Sequence, residues 1–257
     1  MQTNGSGLRH SPGHSTDKLA IEPKKLVWTP ELARRFWDYH SVNSETYFTS
    51  QFGKQLLRRL RNQLKKESVV LDYACGVGAL SGLLLESGHK VAAADMSPES
   101  VAKVRAKYDG LPNWIGGFLV SELLKAGRKF DVIMLIEIIE HVDTAALASI
   151  IDDVRRLLRP GGLVVVTTPN EEDLSVETVY CPCCNSTFHR WQHVRSWSAG
   201  DVAKLFVDNG MVPLEVVATD LSLRLQDGII RYVAKMALQK MRARRAPHLV
   251  GIARLSA

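Results

Sequence analysis

A short apolar run that ends in an acid and a glycine-rich turn constrains the fold of this 257-residue chain more than any other feature. Residues 69–71 are Val-Val-Leu, Asp72 follows, and Gly76 and Gly78 precede a helical pattern that begins at Leu80. Glycine lets the backbone turn tightly and leaves room for a ligand beside the main chain. The segment therefore predicts a strand, a turn and a helix at the carboxyl edge of a parallel sheet.

Strand and helix patterns alternate along the rest of the chain. This alternation predicts an α/β fold, a doubly wound, Rossmann-like sheet of seven mostly parallel strands with helices on both faces. Strands are expected near residues 69–74, 90–95, 114–118, 130–136, 162–168, 211–218 and 248–254. Helices are expected near residues 28–40, 50–65, 80–87, 98–108, 119–126, 144–158 and 199–209.

The composition suits one domain with short appendages. A hydrophobic content of 46% over this length is enough for a single sizeable core. Residues 1–25 are polar and predict a mobile tail, which leaves residues 26–257 as the domain. The chain has no signal-peptide core and no apolar run near the roughly 20 residues that span a bilayer, so a cytoplasmic protein without a transmembrane segment is expected.

A second acid follows the next expected strand. Residues 90–94 lead into Asp95, whose carboxylate is placed to accept hydrogen bonds from the hydroxyls of a ribose. Ser81 stands where a dinucleotide fingerprint has its third glycine, and Asp72 would repel a pyrophosphate. These residues favour a nucleoside cofactor that carries positive charge.

The passage from Asp72 to Gly78 resembles the first motif of class I S-adenosylmethionine-dependent methyltransferases, D-x-G-x-G-x-G, with Ala74 in place of the first glycine. The resemblance implies the seven-stranded methyltransferase fold, S-adenosylmethionine as the cofactor, and Asp95 as the ribose-binding acid. The predicted cofactor-binding residues are Asp72, Ala74, Cys75, Gly76, Gly78, Asp95, Met96, Phe118, Leu119 and Ile136.

Glu137, Glu140 and His141 follow the fourth expected strand at spacing i, i+3 and i+4, which one helical turn would bring to a single face. Histidine titrates near neutrality, so His141 is a candidate base for an acceptor hydroxyl, oriented by a glutamate. The pattern resembles ubiquinone-type O-methyltransferases and related enzymes, which implies O-methylation of a small molecule or of a glycan or lipid precursor. Alternatively, Glu140 and His141 only cap a helix.

A Cys/His-rich insertion occupies about residues 175–197. Its Cys181, Cys184, His189 and His193 offer four nitrogen and sulfur ligands, so a structural zinc site is predicted. Two other interpretations remain: the thiols pack in a core, or the segment is a substrate lid whose histidines line the site.

His193 has a second possible role. Together with Glu137, Glu140 and His141 it resembles the metal-binding quartet of small-RNA 3′-terminal 2′-O-methyltransferases, in which a divalent ion lowers the pKa of the ribose hydroxyls. An RNA acceptor is therefore an alternative to a small molecule. A catalytically silent binding module on the same fold is a third class.

The net charge of +6 comes from one segment. Residues 224–245 contain seven basic side chains and one acid and have the pattern of an amphipathic helix. The segment predicts either peripheral contact with an anionic acceptor or surface, or a docked helix with a solvated basic side.

Overall fold

The computed structural model describes residues 22–222 and 246–256. The α-helices are α1 (Pro30–His40), α2 (Phe48–Leu60), α3 (Ala79–Glu86), α4 (Pro98–Tyr108), α5 (Val120–Ala126), α6 (Thr144–Leu157) and α7 (Ala199–Asp208), and a 3₁₀ helix spans Ser41–Thr46. The strands are β1 (Lys24–Lys25), β2 (Val69–Tyr73), β3 (Lys90–Asp95), β4 (Trp114–Leu119), β5 (Phe130–Ile136), β6 (Leu158–Pro169), β7 (Thr178–Cys181), β8 (Ser186–His189), β9 (Met211–Thr219) and β10 (His248–Leu255).

Seven strands form the main sheet, in the order β4-β3-β2-β5-β6-β10-β9. All neighbours are parallel except β10, which is antiparallel to both β6 and β9. The predicted α/β architecture is confirmed. The strand order reverses between β2 and β5, and ligands of open α/β sheets bind beyond the carboxyl ends of the strands at such a point.

The sheet is buried on both faces by two apolar clusters. One contains β5 residues such as Ile133 and Leu135 with α6, and the other contains Met134 with Leu56 and Leu60 of α2. Alternate residues of one strand thus enter opposite clusters, as the period of two requires. Helices cover these clusters, and some have capped N-termini; in α7, Ser198 and Asp201 form a capping box.

Several predicted boundaries differ from the structure. Helix α2 ends at Leu60, earlier than expected, and β6 begins at Leu158, directly after α6. The predicted tail, residues 1–25, extends too far, because β1 pairs with β8 in a small second sheet of order β1-β8-β7. Strands β7 and β8 form a β-hairpin within the Cys/His-rich insertion. Residues 24–25, at the end of the predicted tail, pair with this hairpin.

Two predictions fall largely outside the described residues, namely the tail up to residue 21 and the basic helix at about 224–245. Within residues 22–222 and 246–256, no helix combines the length and apolar character needed to cross a bilayer.

The turn after β2 depends on left-handed backbone. Ala74, Gly76 and Gly78 have φ angles of +57°, +52° and +75°. Only glycine adopts such angles without a steric cost, so the alanine carries some strain. The Cys75 amide donates to the Ala94 carbonyl at 3.0 Å and the Gly78 amide to the Cys75 carbonyl at 2.8 Å, which closes the turn against β3.

Asp72 joins this turn to the helix that follows it. The side chain is only 4% exposed, and its Oδ2 accepts a hydrogen bond of 2.6 Å from the Ser81 hydroxyl in α3. Burial raises the pKa of Asp72 to about 7, although the hydrogen bond from Ser81 lowers it in part. Asp72 thus has a hydrogen-bond partner that a glycine at position 81 would not provide.

Replacing Gly78 by alanine tests the space within the turn. A Cβ there would lie 2.7 Å from Cγ1 of Val104 and 2.9 Å from Cε2 of Tyr108, at a φ angle unfavourable to alanine. We expect Gly78→Ala to lower the free energy of unfolding by about 3 kcal/mol, from backbone strain plus overpacking. Urea unfolding measures this. Gly110→Ala is the matched control, since Gly110 has a φ of +88° but open space around it; equal losses in both variants would contradict the packing argument.

The pKa of Asp72 gives its contribution to stability a definite pH dependence. Its pKa is about 7 in the folded chain against an ordinary value of 3.8. The contribution is therefore complete below about pH 4 and is lost as the pH rises to 7, at up to about 1.4 kcal/mol per pH unit. We expect Asp72→Asn to gain stability relative to the wild type as the pH increases from 4.5 to 6.5. Urea unfolding across this range checks it, and a constant difference would refute it.

Candidate active site

The candidate site lies at the carboxyl ends of β2, β3 and β5. Because β2 pairs in parallel with both neighbours, the turn after β2, Asp95 at the end of β3 and Glu137 after β5 leave the same edge of the sheet. The predicted cofactor-binding and catalytic residues therefore share one region, as the spacing of the motifs required.

Asp95 holds the turn in addition to its predicted ribose contact. Its Oδ2 accepts a hydrogen bond of 2.9 Å from the Gly76 amide, and its Oδ1 accepts one of 2.9 Å from the Ser97 amide. Burial raises the pKa of this carboxyl, while these backbone hydrogen bonds lower it. A carboxylate offers about four acceptor positions, so two remain for further donors.

The remaining predicted cofactor residues differ in their accessibility. Met96 is 84% exposed beside Asp95, whereas Ile136 is buried in the core at the end of β5. Leu119 is in register with Asp95, but Phe118 is in register with Ala94 and packs against the core beneath Arg128. Alternation along the strand thus places Leu119, rather than Phe118, on the same face as Asp95.

Tyr47 belongs to the site and has no signal in the sequence motifs. A Cβ built on Gly76 would lie 4.0 Å from Cε2 of Tyr47, so this ring covers the turn. Burial, and to a lesser extent the charge of Asp95, raise the pKa of Tyr47 to about 12. The ring centroid of Trp37 lies 6.2 Å from that of Tyr47 and 4.8 Å from that of His141. The N-terminal helices therefore cover the edge of the sheet.

We call residues 137–141 the acid loop. The sequence predicted that one helical turn would bring its side chains to a single face, but the structure has no helical turn here. Glu137 has a left-handed φ of +53° and donates its amide to the Thr167 carbonyl at 3.1 Å. A turn follows in which the His141 amide donates to the Ile138 carbonyl at 3.0 Å, and α6 begins only at Thr144. The sharp reversal after β5 brings the three side chains together.

Several polar atoms in the acid loop lack a hydrogen-bond partner within residues 22–222 and 246–256. They are Oε1 of Glu137, both carboxyl oxygens of Glu140 and Nδ1 of His141. Glu140 is only 1% exposed, and its Oε1 lies 3.7 Å from Nε2 of His141. Unpartnered buried polar atoms are costly, and their concentration is typical of a site that binds a ligand or an ion.

Burial changes the protonation of all three groups. It raises the pKa of Glu137 to about 7, and it raises the pKa of Glu140 well above its usual value, with a further contribution from the charge of Glu137. Burial together with His193 lowers the pKa of His141 to about 3. The imidazole is therefore neutral at physiological pH and a weak base, which disfavours the predicted role of His141 as the general base.

A second group lies beside the acid loop and consists of Glu172, just before the insertion, with His189 and His193 within it. Glu172 lies 2.5 Å from Nδ1 of His193 and 3.5 Å from Nε2 of His189, measured from its carboxyl oxygens. The donor atoms of Glu140, His141 and His193 also lie within 4.8 Å of one another. Because the Val194 amide donates to the Glu140 carbonyl at 2.8 Å, this segment is attached directly to the acid loop.

The structure does not bring the predicted zinc ligands together as one set; they are Cys181, Cys184, His189 and His193. Within the described residues, no cysteine joins a group of three or more potential metal ligands. The reason is the β7–β8 hairpin: both cysteines lie at its turn, while His189 is three residues along β8 from Ser186, about 10 Å away. The histidines face Glu172, and hydrogen bonds from the amides of Cys184 and Cys183 lower the pKa of Cys181.

A family comparison agrees with this architecture. The model of a family described as a methyltransferase domain matches residues 46–218, which include the turn after β2, Asp95 and the acid loop.

Curated relatives have the same assignment. A ubiquinone biosynthesis O-methyltransferase of Cereibacter sphaeroides is 30% identical over 167 residues, covering 60% of this chain and 67% of that protein. The protein of the same name from Histophilus somni is 32% identical over 157 residues, covering 58% and 65%.

Solved structures show the same fold at low identity. The 1,6-didemethyltoxoflavin-N1-methyltransferase of Burkholderia thailandensis, solved with S-adenosylhomocysteine bound, superposes with a TM-score of 0.62 at 17% identity, over 91% of this chain and 94% of that one. A methyltransferase from Archaeoglobus fulgidus gives 0.59 at 17%, over 84% and 100%. With the family match, the motif and the sheet topology in agreement, this chain belongs to the class I S-adenosylmethionine-dependent methyltransferases.

Proposed function

We propose that this enzyme transfers the methyl group of S-adenosylmethionine to a hydroxyl oxygen of a small molecule, and that the acid loop removes the hydroxyl proton. The observation that carries the proposal is the buried carboxyl oxygen Oε1 of Glu137, which has no hydrogen-bond partner among the described residues. Desolvation raises the pKa of Glu137 to about 7, which suits proton abstraction at physiological pH. It follows β5, the strand next to β2, so the acid loop and the cofactor turn occupy the same edge of the sheet.

The turn after β2 and Asp95 are the proposed cofactor-binding elements. S-adenosylmethionine supplies an electrophilic methyl group on a sulfonium when it is bound. Gly76 leaves its face toward Tyr47 free of a Cβ, Asp95 keeps acceptor positions for a ribose, and Met96 and Leu119 offer apolar surface beside it. Asp72 is buried against Ser81, so we assign it chiefly to holding the turn.

Glu137 is the proposed base in place of His141. No residue in the described part of the chain hydrogen-bonds to its Oε1, so this oxygen is available to accept the proton of an acceptor hydroxyl. Glu140 and the neutral His141 would orient the acceptor beside it. General acid–base catalysis of this kind contributes about 10²- to 10⁴-fold in rate.

The surroundings of the acid loop support a flat, ring-containing acceptor. Trp37 packs edge-on against His141, and His40 lies between Trp37 and Trp191, with ring centroids 6.4 and 5.7 Å away. Aromatic rings pair favourably with one another at such separations. The names of the Cereibacter and Histophilus relatives also point to O-methylation in the synthesis of a quinone. Glycan and lipid precursors are less directly supported alternatives.

The acid loop also supports a second candidate function, metal-assisted methylation. Its unpartnered carboxylate oxygens and the neutral His141 are suitable ligands for a divalent cation, and His193 lies within reach of the same group. Such an ion would lower the pKa of an acceptor hydroxyl and would suit the adjacent hydroxyls of a catechol or of a terminal ribose in RNA. The mixed nitrogen and carboxylate ligands do not require zinc.

Label transfer tests the acceptor class. We expect label from methyl-tritiated S-adenosylmethionine to enter the organic-soluble lipid and quinone fraction of a cell extract, and also purified catechol. Incorporation into ribonuclease-sensitive material alone would instead support the RNA alternative. No incorporation into any hydroxyl compound would refute the proposed O-methylation.

The pH profile distinguishes the two mechanisms. If Glu137 is the base, kcat rises about tenfold per pH unit below pH 7 and levels off above it, because only the ionised carboxylate accepts a proton. Glu137→Gln should lose at least about 100-fold in kcat together with this rise, and EDTA should have no effect.

If a cation is required, EDTA abolishes turnover and Mg²⁺ or Mn²⁺ restores it, which would contradict the metal-free mechanism. Glu99→Gln is the matched control, since Glu99 is an exposed partner of Lys103 on α4. The affinity of each variant for S-adenosylhomocysteine, measured by calorimetry, separates loss of catalysis from loss of the cofactor site.

A further inference from the structure

Glu172 lies beside two stacked histidines just outside the acid loop, near one nitrogen of each ring. The rings of His189 and His193 are 4.4 Å apart with an interplanar angle of 19°. One carboxyl oxygen of Glu172 is 2.5 Å from Nδ1 of His193, and the other is 3.5 Å from Nε2 of His189. Glu172 is 20% exposed and His189 only 2%, so the group is largely shielded from water.

The hydrogen bonds of His189 determine which of its nitrogens carries the proton. Nδ1 accepts the backbone amides of Trp191 at 3.4 Å and His193 at 3.3 Å. A ring nitrogen that accepts hydrogen bonds has no proton in the neutral imidazole, so the proton of His189 is on Nε2. A carboxyl oxygen of Glu172 lies 3.5 Å from this nitrogen, but the two form no hydrogen bond.

The same argument applies to His193. Nδ1 of His193 lies 2.5 Å from a carboxyl oxygen of Glu172. A carboxylate oxygen accepts hydrogen bonds, so this contact favours the tautomer with the proton on Nδ1. In the neutral ring the lone pair is then on Nε2. Without Glu172, both tautomers of His193 would be available.

The ring of His193 is held close to the acid loop. The ring centroid of His193 lies 4.8 Å from that of His141, and His193 forms a potential ligand group with Glu140 and His141. The backbone on either side is fixed, because the His193 amide donates to His189 and the Val194 amide donates to the Glu140 carbonyl. Since other hydrogen bonds fix the backbone here, Glu172 affects only which ring nitrogen of His193 carries the proton.

We propose that Glu172 is a positioning residue that keeps His193 protonated on Nδ1, so that Nε2 presents a lone pair to the acceptor hydroxyl or to a cation at the acid loop. The inference rests on the proposed function for its catalytic consequence, whereas the tautomer itself can be measured without turnover. Residues that orient an active imidazole in this way commonly contribute 10- to 100-fold to activity or metal affinity.

The test compares the full-length wild type with Glu172→Gln, Glu172→Asp and the control Glu177→Gln. Glu177 pairs with Arg190 at the surface of the same hairpin, 3.2 Å away, and lies outside the proposed machinery. Long-range ¹H–¹⁵N spectra of histidine-labelled protein, with S-adenosylhomocysteine added, report the tautomer of each ring. Resonances are assigned with a His193→Asn variant, and kcat is measured with catechol.

We expect His193 to be the Nδ1–H tautomer in the wild type, in Glu172→Asp and in the control. In Glu172→Gln it should shift toward Nε2–H, because an amide can donate to Nδ1, with kcat about 10- to 100-fold lower and affinity for S-adenosylhomocysteine unchanged. An Nε2–H tautomer in the wild type, or an unchanged tautomer in Glu172→Gln, would overturn the proposal. If the wild type methylates no hydroxyl, the proposed function fails, but the spectra still decide the role of Glu172.

Discussion

The structure of the site depends on a turn with left-handed backbone held between the buried Asp72 and the half-buried Asp95. Asp72 attaches the turn to α3 through Ser81, and Asp95 attaches it to β3 through the Gly76 amide. These hydrogen bonds hold the left-handed backbone of Ala74 and Gly76, and a Cβ on Gly76 would lie 4.0 Å from Cε2 of Tyr47. The cofactor acids thus have a structural task as well as the binding task that their motif implies.

The acid loop differs from this turn, because several of its buried polar side-chain atoms have no hydrogen-bond partner among the described residues. The positive φ of Glu137 and the turn that follows it bring two carboxyl groups and an imidazole together. Desolvation raises the pKa of both carboxyl groups and lowers the pKa of the imidazole, which favours the neutral form of each. The buried atoms without partners raise the energy of the unliganded site, and an acceptor or an ion that binds to them would offset this cost. This is why Glu137, rather than His141, becomes the stronger candidate for proton transfer.

Some residues of the site could be predicted from local sequence patterns, and others could not. The strand–turn–helix unit, Asp95 and the acid loop were located by local patterns, since strand periodicity and glycine turns act over a few residues. Tyr47 and Glu172 carry no such pattern. They reach the site through contacts with residues 29 and 21 positions away, Gly76 and His193, and only packing of the N-terminal helices and the β7–β8 hairpin reveals them.

The sequence by itself determined the α/β class, the order of the strands along the chain and the methyltransferase motif, because each depends on local periodicity and on glycine. Tertiary structure alone decided which nitrogens and carboxylates meet. It separated Cys181 and Cys184 from His189 and His193, although all four lie within thirteen residues, because an extended hairpin keeps its turn and its far end apart. It also decided protonation, since the burial that shifts a pKa depends on neighbours from distant parts of the chain.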